Sequence, residues 1–177
     1  GGSRASIGLM GLAQTGLSLC GNRIRDQRNG GIMIAATAGA THMVENRIEC
    51  CGYEGLGSFG AFSILLLGAN GQVGIESCDL VDTGVSEDGS QIRQPAVGIF
   101  GLLLAECLIQ GNRLTYTDIT GENRDTEAED RALMLMGTLE WSLTDLVRWG
   151  YAAQVVDNNF TGPGRSHLVE FLEQRIN

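Results

Sequence analysis

Leu19-Cys20-Gly21-Asn22-Arg23-Ile24 returns further along the chain as Met43-Val44-Glu45-Asn46-Arg47-Ile48 and Ile109-Gln110-Gly111-Asn112-Arg113-Leu114, and in weaker form as Val155-Val156-Asp157-Asn158-Asn159-Phe160. A degenerate copy, Ile75-Glu76-Ser77-Cys78-Asp79-Leu80, fills the gap between the second and the third. The aligned positions 22, 46, 78, 112 and 158 are 24, 32, 34 and 46 residues apart. A constant unit carrying insertions of growing length fits these intervals better than a fixed period does.

About a dozen residues before each core lies a short apolar stretch: Ile7-Gly8-Leu9-Met10, Ile32-Met33-Ile34-Ala35, Phe62-Ser63-Ile64-Leu65-Leu66, Val97-Gly98-Ile99-Phe100 and Leu133-Met134-Leu135-Met136. Each is too short for a stable helix and sits beside glycine or other small residues, so each reads as a strand. The variable loops fall between one core and the next apolar strand, at about 25–31, 49–61, 81–96 and 115–131.

A unit of 24 residues made of short strands and polar turns cannot bury its own apolar face. Stacking such units side by side can, which is the sequence signature of a β solenoid. With its Gly-Asn-x-Ile cores the chain resembles the right-handed parallel β-helix superfamily, the pectin-lyase-like group, over residues 6–160. The resemblance implies an all-β, right-handed, single-stranded parallel β-helix of about five coils with long loops on one corner. It also implies that Asn22, Asn46, Asn112 and Asn158 occupy the tight turn between the second and third strands of a coil and form a structural ladder, from which Cys78 departs. Asparagine suits that place because it tolerates a left-handed backbone and its amide can pass hydrogen bonds up a stack. Residues 1–165 then form the β-helix domain, with loops inserted at 81–96, 115–131 and 138–152. The segment 166–177 reads either as a short capping helix, with apolar residues at 168, 171, 172 and 176, or as the start of a further coil.

Composition narrows the function. The 177 residues include 26 glycines and only two prolines, and all twelve basic residues are arginine. A net charge of −9 repels nucleic-acid phosphates, which argues against nucleic acid as a partner. The longest uncharged stretch, about 55–75, is broken by glycines and polar residues and makes a poor membrane span. Gly1-Gly2-Ser3-Arg4 does not begin a signal peptide, and five cysteines without a Cys-x-x-Cys spacing read as reduced, mostly buried thiols. Both features point to cytoplasmic synthesis and leave the final compartment open.

Family members that cleave acidic polysaccharides carry carboxylates and arginines on the first strand of each coil. The five corresponding strands of this chain contain none. If Ile7, Ile32, Ile64, Val97 and Leu133 point inward, alternation turns Met33, Leu65, Phe100 and Met134 outward, with Met10 beside them. Such an apolar ridge is either covered by the protein's own loops or buried against another chain. Trp141 and Trp149, near Arg148 and Tyr151, either plug the end of the solenoid or bind a sugar or a protein partner.

Polar candidates sit in the loops. Asp82 and Asp88 in one loop and Asp118 and Glu122 in the next could hold calcium between neighbouring coils, or could simply be solvated; the spacing matches neither an EF-hand nor a nonapeptide calcium repeat. Asp118, Asp125, Arg124 and Arg93 are the weak candidates for a polysaccharide lyase or hydrolase. His42 and His167 lack partners at motif spacing, and Cys50-Cys51 lacks the second pair a zinc site needs. The expectation is therefore a non-catalytic structural or interaction module of a larger assembly such as a fibre, spike, surface or injection-machine-like component. Its partners would be proteins or copies of itself. The alternative is a polysaccharide-active enzyme working through the acidic loops.

Overall fold

Three columns of left-handed backbone set the path of the chain. The structure, a computed structural model, describes residues 6–93, 96–117, 131–136, 139–140, 148–149, 153–160 and 169–172. Among them Ala13, Ala36, Gly68 and Leu103 have positive φ at one corner, Gly21, Glu45, Ser77, Gly111 and Asp157 at a second, and Asp26, Cys50 and Asp82 at a third. Such a residue reverses the strand's hydrogen-bonding direction in one step, so each marks a sharp bend between two extended segments.

The strands run between those bends. The first unit holds β1 (Ile7–Leu12), β2 (Leu17–Cys20) and β3 (Arg23–Arg25), and the second β4 (Gly30–Thr37), β5 (Thr41–Val44) and β6 (Arg47–Glu49). In the third and fourth units the first two strands run on as β7 (Ala61–Glu76) and β9 (Ala96–Gln110), followed by β8 (Asp79–Val81) and β10 (Arg113–Thr115). The fifth contains β11 (Arg131–Met136), an antiparallel pair β12 (Leu139–Glu140) and β13 (Arg148–Trp149), then β14 (Ala153–Val156) and β15 (Asn159–Phe160). A last strand, β16 (Val169–Leu172), follows.

Like strands of successive units pair in parallel. One sheet carries the path β1-β4-β7-β9-β11-β16, with β2, β5 and β14 joined to the second halves of β7 and β9; another has the order β15-β10-β8-β6-β3. Apart from β12 and β13 the described sheets are parallel, and the architecture is that of a β-helix-like solenoid. The core follows from register. Leu9, Ile32, Ile64, Ile99 and Leu133 form one aligned column, and Ile24, Ile48, Leu80, Leu114 and Phe160 another. These columns belong to one aliphatic cluster, in which each fully buried side chain contributes about 1.5–3 kcal/mol.

Three expectations need correction. Ile7 and Val97 are not in the inward column: Ile7 aligns with Gly30 and Val97 with Phe62, and Leu9 and Ile99 take the inward places. In these two runs a second apolar residue of the same parity stands two places on, and pairing with Ile32 and Ile64 selects it. The left-handed residue of the repeat is the one before the asparagine (Gly21, Glu45, Gly111 and Asp157), not the asparagine itself. At the C-terminal end residues 169–172 form strand β16, parallel on β11, which fits the start of a further coil and not the alternative of a capping helix. The open edge of β11 offers a row of unpaired amides and carbonyls, and Val169 and Phe171 are residue types that favour a strand.

Candidate functional site

The asparagine ladder ties the units together. The N–H and side-chain amide of Asn22 donate to Asn46 Oδ1 (3.1 and 2.8 Å), and Asn46 Nδ2 donates to the Leu19 carbonyl (2.8 Å). Cys78, standing where the ladder would have asparagine, donates its N–H to Asn112 Oδ1 (2.9 Å) and offers only a long sulfur contact to Asn46 (3.8 Å). Asn112 Nδ2 reaches the Ile75 carbonyl (2.8 Å) and Asn158 Oδ1 (2.9 Å), and Asn158 Nδ2 reaches the Ile109 carbonyl (2.8 Å). These residues close the polar groups that a turn beside an apolar core would otherwise strand.

On the outer face of the β3-β6-β8-β10-β15 sheet, the residues after Asn22, Asn46, Cys78 and Asn112 join Glu49 in a charged chain. Arg23 and Arg47 bind the buried carboxylate of Glu49 (2.8 and 2.6 Å), Arg47 also meets Asp79 (3.2 Å), and Arg113 closes on Asp79 (2.9 Å). Burial would raise the Glu49 carboxyl, but hydrogen bonds from Arg47 and Arg23 outweigh it and hold the group below its ordinary value. Arg47, bonded to Glu49, is shifted upward. The repeat places arginine at the same point in three units, Arg23, Arg47 and Arg113, while no local feature marks Glu49 as the partner of two of them.

At the third corner, loops 26–29, 50–55 and 82–93 meet. They enclose a polar cleft of about 310 Å³ lined by Asp26, Tyr53, Ser86, Glu87, Asp88, Ser90 and Gln91. Arg25 pairs with Glu87 (2.6 Å) and Arg28 with Glu54 (3.4 Å) at its edge. Asp88 accepts from Ser86 Oγ (2.8 Å) and the Ser90 N–H (2.9 Å), and hydrogen bonding to the Ser90 side chain, then to the Ser90 N–H and Ser86, lowers its carboxyl to about 2.

Of the cation candidates, Asp82 and Asp88 lie among the described residues. Asp82 is buried, and its two carboxylate oxygens take the Thr117 N–H and hydroxyl (both 2.6 Å), whereas Asp88 is exposed. Among the described residues no three histidine, cysteine or carboxylate groups gather as a metal site. Asp118, Glu122, Arg124, Asp125, Trp141 and His167 lie outside the described residues. The backbone N–H of Arg93 donates to the Gly84 carbonyl (2.7 Å), which closes the 84–93 loop. Trp149 is on β13, opposite Leu139 of β12. His42 is exposed on β5.

All five cysteines are free, and only Cys20 is exposed. Burial pushes the Cys50 and Cys107 thiols up to about 11 and Cys51 to about 12, so these sulfurs act as small apolar groups and not as nucleophiles.

The ridge column is aligned: Met10, Met33, Leu65, Phe100 and Met134 share one register line. Its middle is covered. Leu65 and Phe100 are buried in a second apolar cluster with Phe62 and Val97, against which Leu56 and the partly buried Met33 pack, and the Phe59 ring lies 6.1 Å from that of Phe100. Loop 49–61 therefore supplies the lid, and the ridge presents surface at its N-terminal end, where Met10 is 58% and Leu12 52% exposed.

The fold and these surfaces define the chain as a β-helix-like repeat protein with a ladder-stabilised core. No family model, no curated protein and no solved structure matches it. Among the described residues no helix is long and apolar enough to cross a membrane.

Proposed function

We propose that the chain is a right-handed, single-stranded parallel β-helix of the pectin-lyase-like kind that serves as a non-catalytic structural or interaction module, docking to protein partners or to its own copies. One observation carries this reading. From β1 to β9 the register columns Met10-Met33-Leu65-Phe100 and Leu12-Ala35-Leu67-Leu102 of the first sheet hold no charged residue, and they begin at the two most exposed large apolar side chains of the described structure. Arg23, Arg47, Arg113, Glu49 and Asp79 are engaged in pairing neighbouring units on another sheet. Methionine oxidation footprinting tests it: Met10 oxidises readily in the dilute chain and becomes protected in the assembled form. A Met10 that stays equally reactive in the assembly argues against docking through this surface.

A polysaccharide-active reading draws on the corner cleft, where Asp26, Glu87 and Asp88 stand beside Tyr53 and two serines. A panel of acidic polysaccharides, assayed with and without calcium for new unsaturated or reducing ends, decides between the two. The module reading expects none to be turned over.

A further inference from the structure

We infer that the open edge of β1 takes the open edge of β16 from a second copy of this chain, so that copies join head to tail; this rests on the module reading and names its partner. Along the path β1-β4-β7-β9-β11-β16, the first and last strands are each paired on one side only among the described residues. Both belong to the same parallel sheet, and an unpaired parallel edge is a template for another strand of like direction. Continuing the register sets Val169 opposite Leu9 of the next copy, Glu170 opposite Met10, Phe171 opposite Gly11 and Leu172 opposite Leu12, the same columns that already hold the units together.

Three further observations point the same way. Met10 and Leu12, the most exposed large apolar residues described, lie on β1 itself. The ladder is unfinished at that end: Asn46 Oδ1 and Asn158 Oδ1 each take two donors, whereas Asn22 Oδ1 has none among the described residues. Charge is also divided, because residues 1–29 carry four arginines and one aspartate, net +3, while residues 112–177 carry six arginines and eleven carboxylates, net −5. Unlike ends attract and like ends repel, which favours a heterologous contact over a two-fold one.

The test uses the full chain and two variants. Met10→Arg/Leu12→Arg blocks the head at exposed positions, and Phe171→Pro blocks the tail by removing an amide from β16. In light scattering across concentrations the unaltered chain should grow into multimers, each variant alone should stay monomeric, and an equimolar mixture of the two should stop at a dimer. Hydrogen exchange on the unaltered chain gives a second readout, in which amides of residues 7–12 and 169–172 gain protection as concentration rises. An unaltered chain that stays monomeric without such protection overturns the inference, as does a mixture of variants that stays monomeric, or assembly that survives Phe171→Pro. If the chain stays monomeric while another protein protects Met10, self-pairing fails and the module reading stands; polysaccharide turnover overturns that reading separately.

Discussion

Replacing Asn112 with alanine tests whether the ladder, and not local turn chemistry, holds the units in register. Asn112 is 1% exposed, and its side chain makes three hydrogen bonds: from the Cys78 N–H, to the Ile75 carbonyl and to Asn158 Oδ1. Alanine takes away the side-chain partner of the Cys78 amide and of the Ile75 carbonyl in a buried place, at about 1–3 kcal/mol each, so the total loss is about 2.5–7.5 kcal/mol once the third bond, about 0.5–1.5 kcal/mol, is included. Asn22→Ala is the control, because it removes one part-buried bond to Asn46 Oδ1, which keeps its bond from the Asn22 N–H. That change is worth about 0.5–1.5 kcal/mol. Urea denaturation should show the difference with unchanged slope, and thermal melting should fall by about 5–30 °C for Asn112→Ala at about 2–4 °C per kcal/mol. Equal costs for the two substitutions would refute the reasoning, since a ladder makes the inner position several times more expensive than the end.

Glu45 is exposed and left-handed in a column where Gly21 and Gly111 also stand, so Glu45→Gly should raise stability by about 1 kcal/mol in urea titrations. The Glu49 carboxyl is held below its ordinary value when folded; its pairing therefore contributes fully above the unfolded carboxylate's pKa of about 4.3 and is lost as pH falls through the folded value. The urea midpoint should drop in that acid window, and Glu49→Gln should flatten the drop while lowering stability near neutrality. Thiol titration at pH 8 should find one fast cysteine, Cys20, in the native chain and five in denaturant, because the other four are buried.

Much of the fold was legible because the solenoid writes its stacking into the sequence. Asn22, Asn46, Cys78, Asn112 and Asn158, matched by repetition alone, lie on one hydrogen-bonded line. The shared register line of Met10, Met33, Leu65, Phe100 and Met134 was also readable, since the apolar runs repeat the same order of residues from unit to unit. The inward places of Leu9 and Ile99 were missed because Ile7-Gly8-Leu9 and Val97-Gly98-Ile99 offer two apolar residues of the same parity, and only pairing with Ile32 and Ile64 decides between them. Long-range pairs carry no local mark. Arg23 and Glu49 are 26 residues apart, and nothing in either segment announces the other. The cover that Leu56 and Phe59 provide over Leu65 and Phe100 was hidden for the same reason, because it depends on where a glycine-rich loop folds back.

The central claim is that successive units stack in a single register, and cross-strand nuclear Overhauser contacts test it most directly. An unbroken relay should run from Ile24 to Ile48, Leu80, Leu114 and Phe160, with Arg23, Arg47, Asp79, Arg113 and Asn159 forming the neighbouring relay. A relay displaced by one residue would turn the aliphatic column outward, and that result, or a break between any two of these units, would contradict the account.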